Sequence, residues 1–150
     1  MKLLSRLLAA VAMLVLIAPS GFAAGAKEHR VAIQVDQNDA AVMNLALNNA
    51  TNIMEQYKSK GETVQIEIVT YGPGLHMLRA DTSPVQDRIK QIVDASFPPT
   101  VKFAACANTK DGMEKREGKA ISVVSQAEIV PSGAVRLIEL QEQGWSYLRP

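Results

Sequence analysis

The 150-residue chain contains one cysteine, Cys106, two histidines, His29 and His76, and one tryptophan, Trp145. A single thiol cannot close an internal disulfide, and with so few histidines it cannot build a cysteine-rich metal site. Charge of one sign is also missing. The chain sets 16 Lys and Arg against 15 Asp and Glu, which leaves no basic field of the kind nucleic acid requires. No Walker lysine motif occurs. Gly72-Pro73-Gly74 supplies only two of the three glycines of a dinucleotide fingerprint, and its proline lacks an amide that could hold phosphate. Neither a metal nor a cofactor is implied. With 47% apolar residues and 21% charge, the composition is that of a folded chain, and its length suits one domain.

The charge and apolar content are unevenly spread. Lys2 and Arg6 are the only charges before Lys27, and the run from 7 to 18 is uncharged. Pro19 and Gly21 follow, then small residues at 23–26. This is the layout of a secretory signal peptide, with Gly21-Phe22-Ala23 and Ala24-Gly25-Ala26 both suitable for cleavage. A dozen or so apolar residues fall short of the roughly 20 needed to span a bilayer. Residues 1–26 are therefore expected to direct export, leaving no stable membrane span after removal and a domain over 27–150. Its destination would be the periplasm if the source is a Gram-negative bacterium. Without Lys2 and Arg6 the net charge changes from +1 to −1.

Beyond residue 26, β-branched runs alternate with helical patterns. A strand is expected at 30–36 (R-V-A-I-Q-V-D), followed by the polar loop Asp36-Gln37-Asn38-Asp39, which can cap a helix. Val42, Leu45, Ala46, Ile53 and Met54 recur at helical spacing over 40–60, with Asn44, Asn48 and Asn52 as a second stripe. A strand at 63–71 runs into Gly72-Pro73-Gly74. Ser83-Pro84-Val85-Gln86 resembles a capping box with proline at the first helical position, opening a helix toward Phe97 that Pro98-Pro99 ends. A third strand is expected at 101–106 and a short charged helix near 111–117. The stretch 118–125 fits either element. A strand at 126–130, a Pro131-Ser132-Gly133 turn, a helix at 134–143 and a short strand at 145–148 complete the pattern. Such alternation implies a mostly parallel sheet with helices on both faces, whose strand-to-helix turns gather at the carboxyl edge where ligands bind.

Four turns qualify, around Asp36, Gly72 and Gly74, Cys106, and Ser132. Cys106 is the strongest chemical candidate, because helix amides at such a turn favour a thiolate. Asn108 and Thr109 could cap that helix or donate to a sulfur anion. The alternative is a buried structural thiol, since free cysteine behaves as a small hydrophobe. His76 could reach the same edge as a base or a capping group, or be merely structural. No general base accompanies Cys106 in sequence, which argues against a Cys-His hydrolase. Asp36 and Asp39 fit helix capping better than paired acid/base work, and the mixed charges of 110–119 fit a solvated helix face. Trp145 and Tyr147 alternate as on an edge strand or a subunit interface.

The ordered blocks V-A-I-Q-V (31–35), L-A-L-N-N-A-T-N (45–52), I-E-I-V-T-Y-G-P-G-L (66–75), F-A-A-C-A-N-T (103–109), I-V-P-S-G (129–133) and E-L-Q-E-Q-G-W-S-Y-L-R-P (139–150) resemble the DsrE/DsrF-like family. The resemblance covers nearly all of 27–150. It implies a three-layer α/β/α domain with a five-stranded, mainly parallel sheet, commonly assembled into trimers or hexamers. Better-studied relatives relay sulfur as a cysteine persulfide between donor and acceptor proteins. By position, Cys106 resembles their sulfur-carrying cysteine. The pocket would draw on Asn108, Thr109, Gly72, Gly74, His76, Asp36 and Ser132. The other reading is an oligomeric module that binds a small ligand and uses Cys106 only for packing.

Overall fold

The computed structural model describes residues 27–95 and 97–150, so the expected signal peptide lies outside the described residues. Five strands form one sheet: β1 (Glu28–Val35), β2 (Thr63–Thr70), β3 (Val101–Cys106), β4 (Ala127–Val130) and β5 (Ser146–Leu148). Their order is β4-β3-β2-β1-β5, and every neighbouring pair is parallel. The connections run through α1 (Ala40–Ser59), a 3₁₀ helix (Gly72–Met77) with α2 (Gln86–Asp94), α3 (Ala107–Glu117) and α4 (Gly133–Glu142). Helical crossovers of this kind are what parallel pairing demands. The expected α/β/α layering is present.

Both sheet faces are covered, which is why β1 and β2 each end in five consecutive buried residues. On the larger side, Ile33, Ile66, Ile68 and Phe103 pack against Met43, Leu47, Ile89 and Met113 from α1, α2 and α3. On the other side α4 lies alone, its Leu137 and Leu140 against Ala32, Val69 and Ala104. Burying a leucine such as Leu140 contributes about 2 kcal/mol. A buried ion pair sets how α4 sits. Arg136 Nε and Nη2 donate to the two carboxylate oxygens of Glu67 on β2, each at 2.7 Å. This planar two-point bond holds both position and rotation.

Several expected boundaries move. The box at Ser83-Pro84 does not open α2, which starts at Gln86 without a side-chain cap and stops at Asp94. Ser83 Oγ instead donates to the Met77 carbonyl, so its bond closes the preceding loop. The charged helix begins at Ala107 rather than near 111, directly after the strand. Gly72-Pro73-Gly74 is the first turn of a 3₁₀ helix. In α1 the buried stripe is Met43, Ala46, Leu47 and Ala50, and Leu45 faces outward. The helix carries apolar residues around most of its girth, and the sheet selects which of them are covered. Asp39 caps α1 as expected, accepting from the Ala41 amide at 2.7 Å. The Asn stripe serves packing, since Arg88 of α2 donates to Asn44 Oδ1 at 2.5 Å and Asn48 Oδ1 at 2.8 Å.

The uncertain stretch 118–125 is anchored by a buried arginine. Arg79, 1% exposed, bridges Val123 through its backbone. Its guanidinium donates twice to Asp81, at 2.8 and 2.7 Å, and twice to Glu117 at the end of α3, at 2.5 and 2.9 Å. Hydrogen bonds from Arg79, helped by Lys119, hold the Asp81 carboxyl well below the usual carboxylate range, and Arg79 lowers Glu117 likewise. Carboxyls depressed by folding contribute stability above their unfolded pKa, and that stability is lost as pH falls. Arg79→Ala is expected to lower the unfolding free energy in urea by about 2 kcal/mol at neutral pH, because it empties the space of a fully buried side chain and removes its charge-assisted hydrogen bonds. Below about pH 4, where unfolded carboxylates take up protons, the parent should lose stability more steeply than the variant. Parallel pH dependences for the two would contradict this account.

Candidate functional site

The connections after β1, β2 and β3 all lead to helices on one face, whereas β4 leads to α4 on the other. β3 and β4 are neighbours, and Cys106 pairs with Val130 at their carboxyl ends. The chain therefore diverges to opposite sides of the sheet at this point, leaving the crevice in which open α/β folds bind ligands. Cys106 is the last residue of β3 and also the N-cap of α3. Strand alternation puts its side chain on the Ala104 face, toward α4.

The sulfur lies between two helix N-termini. Cys106 Sγ accepts from the Thr109 amide at 3.4 Å. The Thr109 hydroxyl and the backbone at Gly133 and Asn108 also favour the thiolate. Gly133 opens α4, capped by Ser132 Oγ accepting from Val135 N at 3.4 Å. Burial pushes the thiol pKa up, but these donors outweigh it and the net shift is downward. The residue is only 4% exposed. The first turn of α3, through the Thr109 amide, thus acts on the sulfur, with the start of α4 beside it.

The two helices can approach because position 133 lacks a side chain. A Cβ there would stand 2.9 Å from Tyr71 Cβ and 3.3 Å from Cys106 Cβ. A further backbone bond, Asn108 N to Pro131 O at 3.3 Å, ties the two turns together. Tyr71 stands on the far side of Gly133. Burial raises its pKa first, with Asp36 and Tyr147 adding to the effect and Arg149 opposing it.

The residues expected from sequence divide clearly. Thr109 joins the sulfur to the neighbouring turn, accepting from Gly72 N at 2.9 Å while donating to Cys106. Asn108 spends its amide on the Pro131 carbonyl and so ties the two turns together beside the sulfur. Ser132 acts through α4 as its cap. Gly74 is structural, since a Cβ there would lie 2.1 Å from the Val35 carbonyl oxygen. Asp36 is drawn to the chain end, pairing with Arg149 at 3.1 Å. His76 contacts Thr82 Oγ1 at 2.8 Å and makes no bond to Cys106. Gly133, Tyr71 and Arg149 were not anticipated. The Ser132-Gly133 cap beside a strand end was the one signal that could have pointed to Gly133.

Two cavities stand out. The larger, about 510 Å³, opens between α1 and α2 at the amino edge of the strands, over Leu47, Met54, Val64 and Ile92. It is remote from the converging helix N-termini. The smaller, about 440 Å³, adjoins the first turns of α3 and includes Asn108 and Thr109. Size favours the first, but the chemistry of Cys106 belongs with the second edge.

Gly133→Ala should push α4 away from the sulfur and return the thiol pKa toward its ordinary value. Alkylation of Cys106 by iodoacetamide at neutral pH is then expected to slow severalfold, because the thiolate fraction falls as the pKa rises. Thr109→Val removes a hydroxyl donor without crowding α4 and should act in the same direction. A pH–rate profile in both variants identical to the parent's would contradict the assignment.

The DsrE/DsrF-like family model matches residues 29–150. No curated protein sequence matches the chain. Among solved structures, the fold is similar to the protein of unknown function MTH1491 from Methanobacterium thermoautotrophicum. The TM-score is 0.68 at 28% identity, over 81% of this chain and 99% of that one. With a family match that runs through every strand and the Cys106 turn, the chain belongs to the DsrE/DsrF-like family.

Proposed function

We propose that the protein is an exported sulfur carrier whose Cys106 accepts a sulfane sulfur and passes it to an acceptor thiol. The observation that carries this reading is a single thiol of lowered pKa at the N-cap of α3, bonded by the Thr109 amide and standing against the start of α4. In the loading step, the Cys106 thiolate attacks the outer sulfur of a donor persulfide, R–S–SH. A Cys106–sulfur bond forms, the donor's sulfur–sulfur bond breaks, and R–S⁻ departs. In the unloading step an acceptor thiolate takes the outer sulfur and Cys106 leaves as thiolate. A thiol of lowered pKa leaves faster, so the same donors assist that half of the cycle.

The charged start, apolar run and small residues of 1–26 support export. Val135 and Ile138, apolar and half exposed on the outer side of α4, support assembly into a homo-oligomer, a trimer or hexamer. Donor and acceptor would be proteins. The near-complete burial of Cys106 favours a second reading, an oligomeric small-ligand module in which the thiol only packs.

Intact-mass analysis after incubation with a persulfide donor distinguishes the two. The carrier reading expects Cys106 to gain the mass of one sulfur, Cys106→Ser to gain none, and a reducing thiol to restore the starting mass. If the parent protein gains nothing while a small free thiol in the same tube does, the packing role stands and the carrier role falls.

A further inference from the structure

We propose that the pocket on the flank of α3 binds the carboxylate end of a small, uncharged-bodied organic acid, with Arg116 as its principal partner. The pocket is lined by Asn38 from the loop before α1, Gly72, Pro73 and His76 from the 3₁₀ helix, and Asn108, Thr109, Gly112, Met113 and Arg116 from α3. Its only ionisable lining side chains are Arg116 and His76, both basic, and no carboxylate enters it. Nearby acids are engaged elsewhere, Glu114 with Lys110 and the Ile121 amide, Glu117 with Arg79.

Arg116 stands apart from the other arginines. Arg30, Arg79, Arg136 and Arg149 each pair with a carboxylate, and Arg88 with two asparagines. Among the described residues Arg116 has no ion pair or hydrogen-bond partner for its guanidinium, a group whose planar fork matches a carboxylate.

Gly112 points to the same ligand. Glycine inside a helix costs about 1 kcal/mol relative to alanine. Nothing in the protein's own packing requires it at this position. A Cβ would meet only Arg116 Nη1, at 3.5 Å, an ordinary contact. The space that its missing side chain leaves is pocket space beside the guanidinium.

Volume and lining narrow the class. About 440 Å³ exceeds what an inorganic oxyanion fills and falls in the range of small-molecule sites, roughly 300–1,000 Å³. Met113 and Pro73 offer apolar wall, while Asn38, Asn108 and Thr109 offer neutral hydrogen-bonding groups. With no acid in the wall, a free ammonium on the ligand would be unpaired. The fit is to a carboxylic acid whose body is amide- or hydroxyl-bearing and uncharged.

The inference uses none of the sulfur chemistry, and its test reads binding alone. N-acetylglycine, glycine and sulfate are titrated separately into ¹⁵N-labelled protein, following the amides of Gly72, Asn108 and Gly112. N-acetylglycine is expected to give saturable shifts, with glycine at least fivefold weaker. Arg116→Gln should weaken N-acetylglycine at least tenfold, and Arg116→Lys, which keeps charge without the fork, by an intermediate factor. Arg116 is exposed, and matching circular dichroism spectra establish that its variants fold. No saturable shift, equal binding to Arg116→Gln, or sulfate or glycine binding as tightly as N-acetylglycine would each overturn the proposal.

Discussion

The handedness of parallel crossovers organises this molecule. Strand-to-strand connections in a parallel sheet are right-handed almost without exception, so the direction of travel dictates which face the helix takes. From β1 to β4 the chain moves steadily one way, and α1, α2 and α3 share a face. To place β5 beside β1 it must return across the sheet, which obliges α4 to cross the opposite face. That reversal makes α3 and α4 diverge from adjacent strand ends. Cys106 stands where they part, so its contact with both N-termini follows from the strand order.

What the topology brings together, local packing has to hold. The site has no basic side chain on the sulfur; it relies on backbone amides whose aim depends on helix placement. The Glu67–Arg136 fork secures α4, and Gly133 allows it close enough for its first amide to reach the sulfur. The Arg79 cluster secures the far end of α3. Two ion pairs, each with one buried partner, thus hold the two helices that meet at the sulfur. Burial alone would favour the neutral thiol, and the amides reverse that preference only while both helices stay in place.

The carboxyl edge has two distinct compartments. On the α4 side lie the buried sulfur and Tyr71, packed about Gly133, with the exposed Asp36–Arg149 pair. On the other flank of α3 lies the open pocket with Arg116 and His76. Thr109 belongs to both, as donor to Cys106, acceptor from Gly72 and pocket wall. Proposed sulfur transfer and proposed acid binding are therefore neighbouring events across one helical turn, with Thr109 shared between them.

Much was legible before any coordinates. Strand and helix alternation, the Asp39 cap, and Cys106 with Thr109 at a strand-to-helix turn depend on local pattern, and the structure has all of them. Local pattern misplaced the start of α2, because Ser83 Oγ, which donates to the Met77 carbonyl, accepts from the Val85 amide ahead of the helix and not from an amide of its first turn. In α1 it placed Ala46, Ile53 and Met54 on the core side correctly but added Leu45, which faces outward, and left out Met43, Leu47 and Ala50, because apolar residues lie on more than one side of the first half of that helix. The roles of Gly133, Arg79, Glu67 and Arg116 depend on partners 30 to 70 residues away, or on having none. By itself the sequence determined the elements, their order and the single thiol at a strand-to-helix turn, because these follow from residue type and short-range spacing. Which turn became the site, which glycine admitted the second helix and which arginine stayed unpaired were decided only by tertiary structure, where strand order and packing bring distant residues into contact.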